Sequence, residues 1–271
     1  MEKNEAKQML IELFHKNVKG KSPNVSERNV RHDGREGNWL EEQFGKNPDA
    51  DNSADFWGYE LKNETTSKTT FGDWSANRYI FRHGIYVNLF KNPSIGTPQD
   101  VFCQIFGKPN PDKSNRYSWS GSPIPHINKY NDFGQIMLIE SNKDIVIYYS
   151  YSKDKRQNKD TIVPDELHSE NIELARWFGT TSPSTKRGDK CLRAKLEDKF
   201  NQNGWFTCKK ENGNYSKICF GDPIDYDFWL ELVKKGIVFF DSGMYQGNKR
   251  PYQQWRANNQ FWDSLIKETY K

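Results

Sequence analysis

Apolar residues recur every three or four positions over residues 4–17, where Met9, Leu10, Leu13 and Phe14 share one face. That spacing predicts an amphipathic helix packed on a sheet and stopped by Gly20. A second short helix is predicted over residues 37–45, with Trp39, Leu40 and Phe44 inward and Gly45 as its stop. Glu60 and Lys62 fall two apart on a strand, where side chains at i and i+2 project to one face. Residues 71–78 break the strand pattern, and residues 80–90 resume as strand or short helix. Residues 20–36 and 108–133 are turn-rich and read as loops. Two apolar runs, residues 135–140 and 144–151, form a hairpin closed by Ser141-Asn142-Lys143. A second hairpin spans residues 204–221 around Glu211-Asn212-Gly213-Asn214. Helices are expected over residues 99–107, 172–178, 191–201 and 227–235, a buried strand over 237–240 and a closing helix over 262–270. The expected fold class is α/β, in the α+β sense of a mixed sheet with flanking helices.

Composition narrows the class. The chain has 271 residues, enough for one large domain or two packed lobes. Charged residues make up 28% and the mean hydropathy is −0.98, so the chain reads as soluble and cytoplasmic, with no membrane partner and no apolar leader at residues 1–10. A net charge of +4 permits nucleic-acid binding without demonstrating it. Cys103, Cys191, Cys208 and Cys219 lack zinc-ligand spacing and are expected to be reduced, buried thiols.

The candidate chemistry lies between residues 37 and 70. Glu41, Asp55, Glu60 and Lys62 follow one another there, and four residues separate Asp55 from Glu60. A turn or bulge at Gly58 would bring Asp55 alongside Glu60. Two carboxylates at one point repel unless a cation sits between them, and hard oxygen donors suit magnesium. A neighbouring lysine can orient a water or steady charge on a phosphate. These are the parts for metal-assisted phosphodiester hydrolysis.

Gly37, Leu40, Glu41, Phe44 and Gly45, followed by Asp55, Glu60, Leu61 and Lys62, resemble the MutH and MvaI/BcnI branch of the PD-(D/E)XK nucleases. Ala54 stands where a proline often precedes the first aspartate. The longer run over residues 58–81 is also similar to LlaMI-type restriction endonucleases. The resemblance implies a restriction-endonuclease-like core that cleaves duplex DNA at specific sequences within a restriction–modification system. It implies that Asp55 and Glu60 hold Mg2+ with the Leu61 carbonyl, that Lys62 positions or activates water, and that Glu41 is a further metal or outer carboxylate. Two readings stay open beside it: a MutH-like nickase activated by a partner, and a non-catalytic DNA-binding protein. The state could be monomer or homodimer.

Residues 1–155 are expected to form the catalytic lobe and residues 156–271 a DNA-recognition lobe. Candidate DNA contacts are Asn77 and Arg78 just downstream of the site, and Lys186 and Arg187 before a helix N-terminus. Lys249, Arg250, Tyr252, Gln253, Gln254 and Arg256 complete the set, because arginine reads guanine and glutamine reads adenine by paired hydrogen bonds. The order of these residues is similar to a segment near the end of related restriction enzymes. His83 is expected to be a core histidine.

Overall fold

The computed structural model describes residues 2–23, 34–47, 51–184 and 189–271. In chain order the elements are α1 (Lys3–Leu13), continued by a π turn (Phe14–Val18), α2 (Arg35–Gln43), β1 (Tyr59–Leu61), β2 (Lys68–Asp73) and β3 (Arg78–Tyr79). There follow α3 (Pro98–Phe106), β4 (Lys108–Asn110), β5 (Arg116–Trp119), β6 (Phe133–Ile139), β7 (Ile145–Asp154), α4 (Lys159–Ile162) and β8 (Ile172–Trp177). The chain closes with α5 (Leu192–Phe200), β9 (Gly204–Glu211), β10 (Asn214–Gly221), α6 (Tyr226–Lys234), β11 (Phe239–Ser242), β12 (Met244–Tyr245), β13 (Gln253–Asn258), α7 (Asn259–Ser264) and β14 (Ile266–Tyr270).

The chain divides into two compact units. The first comprises Met1–Thr69, Lys195–Trp229 and Ala257–Lys271; the second comprises Thr70–Ala194 and Leu230–Arg256. The expected cut near residue 155 falls inside the second unit.

The first unit is built on a mixed sheet of order β1-β9-β10-β14. β1 runs parallel to β9, with Glu60 opposite Trp205, while β9, β10 and β14 are antiparallel neighbours. The helix predicted for residues 4–17 packs on this sheet, but its buried face is Ala6, Leu10, Ile11, Phe14 and Val18, which pack with Leu40, Phe44, Tyr59, Phe206 and Phe220, while Met9 and Leu13 of the expected face are half-buried. Phe44 meets Phe206 edge-on at 5.1 Å between ring centres, a geometry that the ring quadrupoles favour.

The second unit holds the sheet β3-β8-β7-β6 and the smaller sheet β12-β5-β4. Its core is aromatic, with Trp177 edge-on to Phe240 at 4.9 Å and Phe102 edge-on to Trp119 at 5.1 Å. Gln135 is buried among these rings with its amide satisfied: Oε1 accepts from Trp119 Nε1 and Nε2 donates to the Phe106 carbonyl.

Four sequence expectations are corrected. Residues 172–178 form strand β8, not a helix. The register of β7 against β8 slips between Ile147 and Tyr148, which leaves Leu174 as an extra residue. The bulge puts Ile172, Leu174, Ala175 and Trp177 inside, a spacing that imitates a helical stripe. The closing segment is a helix only to Ser264, and Ile266–Tyr270 is captured by β10 as an edge strand. Residues 108–133 are not wholly loop, because β4 and β5 pair within them. His83 is exposed rather than core, its Nδ1 accepting from the Tyr79 N–H at 3.3 Å.

Candidate active site

The site begins with a reversal of the chain. Phe56 N–H donates to the Tyr59 carbonyl at 2.9 Å and Tyr59 N–H donates back to Phe56 at 2.8 Å. Gly58 sits at φ +84°, and a Cβ there would lie 2.9 Å from Asn203 Nδ2, so both conformation and space call for glycine. The turn folds Asp55 back beside β1, where Oδ2 accepts the Leu61 N–H at 3.1 Å. Glu60 lies on β1, and Lys62 follows its end, its N–H donating to the Phe206 carbonyl at 2.8 Å. The i, i+2 spacing puts both side chains on one face: Lys62 Nζ lies 2.7 Å from Glu60 Oε1.

Helix α5 supplies a residue that the sequence did not mark. Lys199 Nζ lies 3.0 Å from the same Glu60 Oε1. Lys46, three residues past α2, holds Asp55 Oδ1 at 2.8 Å. The end of α5 is stitched to the acidic loop: Asn52 Nδ2 donates to Lys195 O at 2.7 Å and Ala54 N–H to Asp198 O at 3.2 Å. Asn203 donates its backbone N–H to Gly58 O at 2.8 Å and its side chain to Trp57 O at 2.7 Å. No local pattern identifies Lys199 or Lys46, because their meaning comes from chain segments far apart in sequence.

The electrostatics follow from burial opposed by ion pairing. Glu60 is 2% exposed and Lys62 is 7% exposed. Burial pushes the Glu60 carboxyl up against the pull of Lys62 and Lys199, and pushes the Lys62 ammonium down against Glu60. Burial also works to raise Asp55, but Lys199, Lys46 and Lys62 together hold it below its ordinary value. Glu41, on α2, is pushed up to about 7 by burial and then by the Asp55 and Glu60 charges, against Lys46 and Lys199.

Among the described residues no three His, Cys, Asp or Glu side chains form a metal-ligand group. A smaller donor set is present. Asp55 and Glu60 are hard oxygen donors of the kind magnesium takes. Glu60 Oε2 is buried with no hydrogen-bond partner among the described residues, an expensive condition that a cation would relieve. The residues present therefore fit a divalent ion.

A sequence model of the LlaMI restriction endonuclease family matches residues 18–270. The chain belongs to the LlaMI restriction endonuclease family. It is 58% identical over 270 residues to the type II restriction enzyme ScrFI of Lactococcus lactis subsp. cremoris, covering 99% of this chain and all of that one. Its fold matches the restriction endonuclease MvaI in complex with cognate DNA substrate, with a TM-score of 0.54 over 99% of this chain and 97% of that one at 13% identity. The chain is accordingly a restriction endonuclease with a restriction-endonuclease-like mixed α/β fold, and its substrate is DNA. Enzymes of this class generally need a divalent metal. No helix among the described residues is long and apolar enough to cross a membrane.

In this LlaMI-family chain the expected DNA contacts have diverse placements. Arg78, Lys249, Arg250 and Tyr252 are exposed; Arg78 covers the Phe178 ring and Arg250 pairs with Asp73 at 2.8 Å. Along β13 the side chains alternate. Gln254 and Arg256 lie half-buried on the outward side, with Gln254 Nε2 donating to Tyr252 Oη and Arg256 Nη1 to Asp241 Oδ2. Gln253 faces inward and is fully buried, its Oε1 accepting from Tyr79 Oη at 2.6 Å and Ala76 N–H at 3.1 Å. Asn77 braces the second unit, donating to the Asp189 carbonyl and accepting from the Phe178 N–H. Lys186 and Arg187 lie outside the described residues.

Proposed function

We propose that the chain is a magnesium-dependent type II restriction endonuclease in which Asp55, Glu60 and the Leu61 carbonyl hold the metal. The observation that carries this reading is Glu60, a buried carboxylate with one oxygen lacking a partner among the described residues and the other gripped by two lysines beside Asp55. A bound magnesium ion would polarise the phosphodiester and favour ionisation of water. Lys62 orients the attacking water and neutralises charge that builds on the phosphate oxygens. Glu41 would serve as a further metal ligand or as an outer carboxylate beside Asp55 and Glu60, whose charges it feels. Water adds to phosphorus, the bond to the 3′ oxygen breaks, and the products are a 5′-phosphate and a 3′-hydroxyl. Arg78, Lys249, Arg250 and Tyr252 supply exposed DNA contacts, with Gln254 and Arg256 on the outward face of β13. Gln253 and Asn77 act by holding that framework, through Gln253 Oε1, which accepts from Tyr79 and Ala76, and the Asn77 amide, which bonds Asp189 and Phe178.

The test is incubation of wild type and Lys62→Ala with unmethylated supercoiled plasmid, with and without magnesium. Discrete linear fragments from wild type with magnesium alone are expected, and their ends give the recognition site. Open circles alone would replace this reading with that of a nickase. Full cleavage by Lys62→Ala would overturn the residue assignment.

A further inference from the structure

Lys199 has no part in the proposed hydrolysis, although its ammonium shares Glu60 Oε1 with that of Lys62. Two ammonium groups converge on Glu60 Oε1 while Oε2 of the same carboxylate has no partner among the described residues. The placement of Lys199 is also tightly held. Asp198 and Lys195 accept hydrogen bonds from the loop that carries Asp55, and Asn203 grips the turn at Gly58. The end of α5 and the acidic turn thus form one piece, and the Lys199 side chain is largely buried in it.

The charges then set a constraint. Asp55 is bound to Lys46, and Glu60 to Lys62 and Lys199. A divalent cation at the unpartnered Glu60 Oε2 would lie beside the two ammonium groups held at Oε1 of the same carboxylate, and the like charges would repel. Lys62 has a place beside the reacting water. Lys199 needs another anion, and the anion that arrives with the substrate is a backbone phosphate.

We propose that Lys199 is a positioning residue that couples metal binding to DNA binding, neutralising Glu60 in the free enzyme and passing its ammonium to a phosphate near the scissile bond when DNA is bound. The inference rests on the assignment of Asp55 and Glu60 as metal ligands. Metal then binds weakly without DNA and strongly with it, and reciprocity requires metal to tighten DNA binding by the same factor.

The experiment uses Ca2+ as the metal probe and a labelled oligonucleotide duplex carrying the site mapped from the plasmid fragments. Calorimetry measures Ca2+ affinity of the free protein, and fluorescence anisotropy measures duplex affinity with and without Ca2+. Lys199→Met is expected to bind Ca2+ about tenfold tighter than wild type without DNA, and to lose a similar factor from the Ca2+-dependent gain in duplex affinity. Lys199→Arg is expected to restore both quantities. Circular dichroism checks the fold, and Lys199→Gln carries the same test should the methionine variant not fold. Unchanged or weaker Ca2+ binding by a folded Lys199 variant overturns the proposal, whatever its melting temperature. Asp55→Asn separates the two levels. Loss of Ca2+ binding there keeps the ligand assignment and confines any failure to Lys199, whereas retained Ca2+ binding overturns the ligand assignment and this inference with it.

Discussion

Single side chains at the site act through charge at short range. Asp55→Ala removes a proposed ligand and the acceptor of the Leu61 N–H, and Lys62→Ala removes the ammonium nearest Glu60. Each is expected to lower the cleavage rate by at least 10²–10³-fold, roughly the effect of losing one preorganised charged group, while a gel shift still shows DNA binding. Retained cleavage would refute the role. Gln253 illustrates the opposite case. Its composition suits base reading, but it sits at an inward position of β13 and its Oε1 joins Tyr79 to Ala76. Gln253→Ala should cost about 1–3 kcal/mol by leaving a buried donor unsatisfied, read as a lower urea midpoint, with metal binding unaffected. The residue types Asp, Glu and Lys were legible as chemistry because their order in a short segment is informative. Lys199 and Lys46 were not, because a lone lysine on an amphipathic helix or after a helix stop has no local signature.

Elements decide whether those side chains meet. The turn at Phe56–Tyr59 needs Gly58 at φ +84° and close to Asn203. Gly58→Ala should cost about 1–2 kcal/mol in chemical denaturation and reduce cleavage further than stability explains, because Asp55 leaves the Leu61 N–H. Equal loss in both measurements would mean that the turn only supports the fold. Helix α5 is anchored by Leu192, Leu196 and Phe200, all fully buried. Leu196→Ala is expected to lower stability by about 2–5 kcal/mol and to loosen Lys199, measured by thermal melting and by Ca2+ affinity. The helices α1, α2 and α5 were readable from their apolar spacing, and the β9–β10 hairpin from its turn residues Glu211-Asn212-Gly213-Asn214, since β9 buries both faces at its start. β8 was not, since the bulge at Leu174 shifts its phase by one residue and makes a strand look helical. The tail at Ile266–Tyr270 was not either, since β10 takes it as a strand whatever its local preference.

At the scale of the whole molecule, chain order and compactness part company. β1 finds its parallel partner β9 only after the chain has built most of the second unit, so Tyr59 pairs with Gly204. Stability of the second unit depends partly on charge. Arg176 reaches Glu140 at 2.6 Å, Asp144 at 2.8 Å and Glu173 at 2.7 Å. Its hydrogen bonds, opposed by burial and aided by Tyr148, hold the Glu140 carboxyl below its ordinary 4.5. A carboxyl with a depressed folded pKa stabilises fully above its unfolded value, and the contribution disappears as pH falls through the folded value. Wild type should therefore lose urea resistance on acidification below about pH 4.5, and Arg176→Met should show a shallower acid slope. Parallel slopes would show that this cluster does not set acid sensitivity.

The sequence alone determined the local facts of this protein: helices with one apolar face, the hairpin around Asn212-Gly213, and an acidic segment in which Glu60 and Lys62 must share a strand face. Those follow from backbone periodicity and residue chemistry over a few positions. Only the tertiary structure decided which distant strands pair, where a bulge resets the phase, which of two adjacent glutamines faces the core, and that Lys199 comes to rest on Glu60. Those depend on burial and Coulomb contacts between segments far apart in the chain, and no local window contains both partners.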